Sequence, residues 1–211
     1  LTAQATGQSG IDSITQYRPI LEQLPEIMGA KENRKKYLIL FQNDNELRPT
    51  GGFLTAYSTI FIEDGKVSPE KSDDIYELDK KFNKRIPIPE ELGRYLTTEK
   101  YWHLRDMNTS PDFKISMEQF LEYYLEIPGE PDDIDGVIAV DTEFLTKLLK
   151  VLGPIEVPGY GTFSAENEPR CDCPQVVYAL SEIITRPTPY LREDRKGILG
   201  PTMRAILTKS Y

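Results

Sequence analysis

The sequence is poor in the residues on which many catalytic and metal sites are built. Of its 211 residues one is a histidine, His103, and two are cysteines. A histidine-based triad or a histidine-rich metal centre is thereby nearly excluded, and His103 reads as a surface or loop residue. Cys171 and Cys173 form a lone Cys-x-Cys, short of the ligand set a structural zinc takes. A bridge between them would close a very small ring, so the pair is read as free thiols or a surface accident. Long apolar runs are also missing. The longest, Tyr37 to Phe41, has about five residues, where a membrane-spanning helix takes roughly 20. Positive charge is in deficit, with 25 Lys and Arg against 34 Asp and Glu and a net charge of -9. That argues against nucleic acid, which requires a basic field to offset phosphate. It leaves room for one local cationic pocket, because net charge does not say where arginines meet. No methionine opens the chain and no signal-peptide pattern follows Leu1, so it reads as an excised or processed segment. Internal repeats and low-complexity tracts are lacking as well.

What is present suits one α/β domain. Hydrophobic residues make up 39% and charged residues 28%, an ordinary globular balance, and a single core is expected. Residues 1–36 read as a helical lead-in and 37–211 as the α/β domain. In the lead-in, Asp12 or Ser13 caps a helix with Ile14, Leu21 and Leu24 on its apolar face, Pro19 and Pro25 punctuate it, and Gly29 ends it. Tyr37 to Phe41 is the pattern of a strand buried on both faces. Phe53 to Glu63 is β-branched and aromatic, and Asp64-Gly65 signals a hairpin. A returning strand is placed, on weaker grounds, within Val67 to Leu78, and a short helix within Glu90 to Leu96. Ser116 to Leu125 puts Met117, Phe120, Leu121, Tyr124 and Leu125 on one helical face. Val137 to Val140 reads as a short buried strand. Asp141 or Thr142 then caps a helix carrying Phe144, Leu145, Leu148, Leu149 and Leu152, ended by Gly153-Pro154. A strand followed at once by a helix is the βα unit of a layered α/β domain. Ile155 to Val157 reads as a further strand. Pro174 to Thr185 and a stretch after Arg192 read as helices, with Gly200-Pro201 a start or kink in the last.

Three polar clusters carry the candidate chemistry. The first runs from Gln42 to Gly52, directly after the buried strand, where ligands bind in open α/β sheets. Arg48 supplies a planar fork of donors for phosphate or carboxylate. Asn45 and Thr50 add polar groups, and Gly51 and Gly52 either expose backbone N–H groups to an anion or supply a tight turn. The GKS/T tail of a P-loop is missing, and a structural ion pair at Arg48 is the alternative. The second cluster, Arg105 to Asp112, sets an arginine beside Asp106 and Asp112. These could hold a pyrophosphate and a divalent cation, although Ser110 to Asp112 also suits turn and cap chemistry. In the third, Arg192, Arg195 and Lys196 introduce the last helix, where basic residues oppose the helix dipole unless an anion is bound. Asp141 reads as a helix cap rather than a base.

The strings YLILFQNDNELRPTGGF, RDMNTSPDF, DGVIAVDTEFLTKLLKVLGPIEVPG and DRKGILGP closely resemble the bacterial and archaeal family known as domain of unknown function 4012. The resemblance runs from about Tyr37 to the C-terminus, and NELRPTGGF is its most specific part. It implies an extracytoplasmic domain that follows a membrane anchor and a helical segment. More distantly, the pattern is similar to the LytR-CpsA-Psr phosphotransferases, which move glycopolymers from polyprenyl-pyrophosphate carriers onto the cell wall. That likeness implies an α/β fold, a layered α/β/α sandwich with a mixed central sheet. It pairs Arg48, Leu152-Gly153-Pro154, Arg192 and Arg195 with that group's motifs. The metal-binding aspartate that follows the arginine in those enzymes is replaced here by Pro49, and their Pro-Arg-Asp motif is absent.

Two functions are therefore expected to compete, beside a third, purely structural reading in which all three clusters are ion pairs. In the first, the domain is a cell-envelope phosphotransferase acting on a polyprenyl-pyrophosphate-linked glycan. Arg48, Arg105, Arg192, Arg195 and Lys196 then clamp the phosphates together with Asn45, Thr50, Gly51 and Gly52, while Asp106 and Asp112 hold Mg²⁺ or act as base. In the second, it is a non-catalytic envelope module that recognises a glycan, a lipid head group or a protein. The first reading requires the arginines to converge.

Overall fold

The computed structural model describes residues 15, 17–31, 33–185 and 197–210. The expected cap at Asp12 or Ser13 and the apolar contact of Ile14 lie outside them. Residues 17–27 form one helix, α1, which spans both Pro19 and Pro25. Its end docks on the sheet, where the carbonyls of Met28 and Gly29 accept hydrogen bonds from Gly65 and Asp64 (2.9 and 3.0 Å).

The centre of the fold is a four-stranded sheet in the order β3-β2-β1-β4. Its strands are β1 (Lys35–Asn43), β2 (Phe53–Glu63), β3 (Lys66–Asp74) and β4 (Gly136–Val140). The first three form an antiparallel meander, and β4 lies parallel to β1, so the sheet is mixed and the fold is α/β. β1 behaves as its apolar run predicts. Leu38 and Leu40 enter the cluster on one face of the sheet, and Tyr37 and Ile39 enter the cluster on the other. The Asp64-Gly65 turn has positive φ at both residues (46° and 77°), the geometry that matches strand twist in a tight hairpin. β3, polar along its length, is an edge strand held by its pairing with β2, and Pro69 is tolerated there because an edge has spare N–H positions.

The returning strand is shorter than the sequence suggests. Asp74 accepts a hydrogen bond from the Tyr76 N–H (2.9 Å) and caps helix α2, Ile75–Lys81, so the end of the expected span, from Ile75, is helical. A single helical turn, α3, covers Glu90–Gly93 rather than Glu90 to Leu96. A 3-10 turn follows at Leu104–Asp106 and then helix α4, Phe113–Tyr124, capped by Asp112. Ile75, Leu78, Leu104, Met107, Phe120 and Tyr124 pack with Leu54 and Tyr57 as a fully buried cluster on one face of the sheet.

After β4, Asp141 caps helix α5 (Thr142–Leu152) through a 2.7 Å hydrogen bond from the Phe144 N–H. The hairpin β5 (Ile155–Val157) and β6 (Gly161–Phe163) then packs with α5, α6 (Gln175–Thr185) and α7 (Leu199–Ser210) around Leu149, Val157, Phe163 and Val176. The single core expected from the sequence is thus replaced by separate apolar clusters. The sheet separates the clusters on its two faces, and Leu145 and Leu149 of α5 pack in the hairpin's cluster while Phe144, expected on the same face, is exposed. α7 joins them, with Met203 against the sheet and Ala205 and Ile206 in the hairpin cluster.

The cysteines require a correction. Cys171 and Cys173 are disulfide-bonded, not free. Asp172, between them, has φ 52°, and this left-handed residue brings the two Cα atoms to 5.2 Å, inside the range a disulfide spans. They lie at the tip of a small hairpin of β7 (Asn167–Glu168) and β8 (Cys173–Pro174).

Phe120, at zero exposure, stacks on Tyr124 with ring centroids 6.2 Å apart. Phe120→Ala is expected to lower unfolding free energy by about 3–5 kcal/mol, measured as a shifted urea midpoint at unchanged m-value.

Candidate functional site

The site begins where β1 stops. Its last residues, Gln42 and Asn43, are polar, and Gln42 is nevertheless buried. Its side-chain amide donates to Thr50 Oγ1 (2.6 Å) and to the carbonyl of Gly52 (3.2 Å). Asn108, fully buried and 56 residues beyond Gly52, donates to the same two acceptors at 2.8 and 2.9 Å. Two side chains distant in sequence thus clamp one short turn. Gly52 is required for it. A Cβ there would lie 2.5 Å from the Asn43 carbonyl oxygen and 2.9 Å from the Asp44 nitrogen. Gly51, with φ 119°, closes the turn through its N–H to the Arg48 carbonyl (2.9 Å).

This turn aims Arg48 at the 3-10 turn that carries Arg105 and Asp106. Arg48 Nη2 lies 3.7 Å from Asp106 Oδ1, and Arg105 Nε lies 3.5 Å from Asp106 Oδ2. Two arginines drawn from separate sequence clusters therefore meet on one carboxylate, whose side chain is 4% exposed. Arg105 is enclosed further. It donates to Asp79 Oδ2 (2.7 Å) and Glu99 Oε1 (3.1 Å), and its guanidinium lies over the Tyr76 ring. Arg48 donates through Nη2 to Glu46 Oε1 (2.9 Å) and through Nη1 to the Leu47 carbonyl, above the Phe53 ring. His103 borders the group, with Nε2 3.1 Å from a Glu99 carboxylate oxygen. Burial raises the pKa of Asp106, against the pull of Arg105 and Arg48. Arg48 Nε, Asp79 Oδ1 and Asn108 Oδ1 are buried without a hydrogen-bond partner, so the constellation keeps one donor and two acceptors unspent.

The remaining sequence candidates are distributed differently. Asp112 is the cap of α4, its Oδ1 accepting from the N–H groups of Lys114 and Ile115 (2.9 and 3.3 Å). Asn45 is exposed and gives its backbone N–H to Asn43 Oδ1 (3.2 Å). Arg192, Arg195 and Lys196 lie outside the described residues, and among those described the arginines that converge are Arg48 and Arg105. Magnesium at Asp106 and Asp112 does not suit this arrangement, because one carboxylate faces two arginines and the other caps a helix. Among the described residues no group of three or more His, Cys, Asp or Glu is placed to hold a metal ion.

Sequence reasoning missed the carboxylates that neutralise the arginines, Glu46, Asp79 and Glu99, and the role of Gln42 and Asn108. The signal for Gln42 was a polar residue ending an otherwise apolar strand. A second missed constellation centres on Glu130. Its side chain, at zero exposure, accepts from Lys71 (2.6 Å), Lys81 (2.7 Å) and the Tyr57 hydroxyl (3.0 Å) at one oxygen. Burial opposes ionisation of Glu130, and the two lysines outweigh it, holding its pKa below the usual carboxylate range. No motif announces this group, since its members come from β2, β3, α2 and a loop.

Residues 32–170 match the family described as "Protein of unknown function (DUF4012)", and the chain belongs to that family. No curated protein and no solved structure matches it.

Gly52→Ala is expected to cost about 1–3 kcal/mol through overpacking against backbone, read by chemical denaturation. Asp106 has the opposite signature to a salt-bridged surface acid. With its folded pKa raised, the native state keeps a proton that the unfolded chain has released, so stability falls as pH rises from the ordinary carboxylate range through the raised value. Asp106→Asn removes that falling limb, whereas Glu130→Gln removes an opposite, rising one. Melting temperature against pH for the two variants distinguishes them.

Proposed function

We propose that this domain is a binding module of the cell envelope, extracytoplasmic and membrane-anchored in its full-length form, which takes an anionic group at Arg48. The ligand class is the phosphate or carboxylate of a polyprenyl-linked lipid or an envelope glycan. The observation that carries this reading is the asymmetry between the two arginines. Arg105 is surrounded by Asp79, Glu99 and Asp106 and only 13% exposed, so it serves as a fixed support. Arg48 is held from inside by Asp106, while its outer partner is Glu46, a carboxylate that is 49% exposed. An exposed ion pair of this kind contributes about 0–1 kcal/mol, so a ligand oxyanion can displace Glu46 and accept the same donor. The inner carboxylate fixes the guanidinium plane and pre-orients its fork for a bidentate anion.

A binding role fits the charge balance better than pyrophosphate transfer does. Two arginines face four carboxylates, Glu46, Asp79, Glu99 and Asp106, so the described part of the site suits a single oxyanion rather than a polyanion. The transferase reading keeps one supporting feature: a buried carboxyl of raised pKa, Asp106, is a candidate general base. It would act without the Asp106–Asp112 metal pair.

The test is a thermal-shift and calorimetric titration with a short polyprenyl phosphate, the corresponding pyrophosphate, and Mg²⁺ alone or added. A ligand that binds only the native state raises the melting point by mass action. The monophosphate is expected to bind without Mg²⁺, Arg48→Ala to abolish binding, and Glu46→Gln to tighten it by about 2–5-fold, as removal of a weak internal competitor requires. Binding that strengthens only with pyrophosphate plus Mg²⁺ would restore the transferase reading. Equal affinity in Arg48→Ala would remove the anion site from this position.

A further inference from the structure

The Cys171–Cys173 disulfide has no part in the site just described, and its surroundings make it redundant as a staple. A crosslink stabilises chiefly by removing loop-closure entropy from the unfolded chain, an effect that grows with loop length. Here a single residue separates the cysteines, so the loop is the shortest such a pattern can form. The turn is already fixed by other bonds. The Asp172 and Cys171 N–H groups donate to the Glu168 carbonyl (2.9 and 3.3 Å). Arg170 grips the Glu168 carboxylate at 2.7 and 2.8 Å, and Asn167 donates to Asp172 Oδ1 (3.2 Å). The start of α6 is pinned separately, by Gln175 N–H to Glu166 and Val176 N–H to Ser164 (2.8 and 3.0 Å). The hydrophobic cluster beneath includes Val176 and Phe163 but neither cysteine.

The bond is also placed for attack. Cys171 is exposed, while Cys173 is half-buried two residues before the 11-residue helix α6. Asp172, between the two cysteines, sits in the left-handed region at φ 52°, a conformation disfavoured for residues other than glycine. A thiolate formed at Cys173 lies at the positive end of α6, which favours it as the leaving group.

From these features we propose that Cys171–Cys173 is a thiol–disulfide exchange centre whose co-substrates are thiols. An incoming thiolate attacks Cys171 Sγ, forms a mixed disulfide and breaks the internal bond, and the electron pair goes to Cys173 as a thiolate. A second thiolate attacks the sulfur of the first co-substrate, releasing Cys171. Two thiols are thereby oxidised to one disulfide, the protein disulfide is reduced to two thiols, and the two protons given up by the co-substrates end on the cysteines.

The experiment uses the full chain and glutathione as probe. The folded protein is equilibrated over a range of reduced-to-oxidised glutathione ratios, quenched with an alkylating agent and read by mass spectrometry alongside its melting curve. Reduction is expected under native conditions, with the melting temperature and the cooperative transition retained. When the native protein is partly reduced by glutathione and quenched, the trapped mixed disulfide is expected on Cys171 at least about tenfold more often than on Cys173, as accessibility and leaving-group order require. The double variant Cys171→Ser/Cys173→Ser should fold with the same melting temperature and take no adduct. A bond that yields to glutathione only when the domain unfolds, a double variant that melts well below the native protein, or adducts trapped equally often at both positions would each overturn the proposal. So would two free thiols in the freshly purified, air-exposed protein.

Discussion

The carboxyl end of the sheet depends on one clamp: two buried amides, Gln42 and Asn108, sharing Thr50 Oγ1 and the Gly52 carbonyl. Each amide belongs to a different segment. Gln42 closes β1, and Asn108 follows the 3-10 turn at Leu104–Asp106. Together they fix the length and path of the loop between β1 and β2, and that path determines where Arg48 points. Buried amides are costly when unpaired, so an altered loop would strand several donors at once. This gives the loop a single preferred conformation. Gly52 follows from the same constraint, because the chain passes so close to Asn43 that no side chain fits.

The clamp brings together charges that would otherwise be expensive to bury. Asp106 is enclosed between two guanidinium groups, and Arg105 in turn between Asp79 and Glu99. Buried ion networks of this type add little net stability over apolar packing of the same shape, but removing one member leaves an uncompensated charge. The physical consequence is specificity of arrangement. Arg105 cannot leave, Asp106 cannot turn, and Arg48 is the member with an outward-facing partner held only at the surface. The binding role proposed for Arg48 rests on that division of labour rather than on the number of arginines.

Much of the scaffold was legible because it rests on local patterns. The two-sided apolar run of β1, the alternation in β2, the Asp64-Gly65 hairpin, the Asp141 cap and the stripe on α4 each declare themselves within a few residues. The strand ending at Asp74 was less legible, since a polar edge strand is held by its neighbour and carries little pattern of its own. At the site, the meeting of Arg48 with Arg105 was anticipated as a requirement of one reading. The carboxylates that saturate them were not, because Asp79 and Glu99 fall in segments without any motif. Asp112 shows the converse difficulty: an aspartate before a helix has the same sequence signature whether it caps or catalyses, and here it caps. The disulfide was misread because ring size was weighed without the left-handed backbone at Asp172, which brings the two cysteines within bonding reach.

The short helix α2 gives the two buried charge groups a common support. Within its seven residues, Asp79 holds Arg105 and Lys81 holds Glu130, while Asp74 caps its first turn and Ile75 and Leu78 anchor it in the main apolar cluster. An isolated helix of this length is unstable in water, since nucleation outweighs the few bonds it gains. Its persistence therefore comes from the cap, the apolar anchors and the ion pairs of Asp79 and Lys81 near its C-terminal end. A disturbance that frees Asp79 would loosen the helix, and with it Lys81, so the environment of Asp106 and that of Glu130 are mechanically connected through α2. The sheet sets the position of Arg48, and α2 supports the carboxylate that holds Arg105.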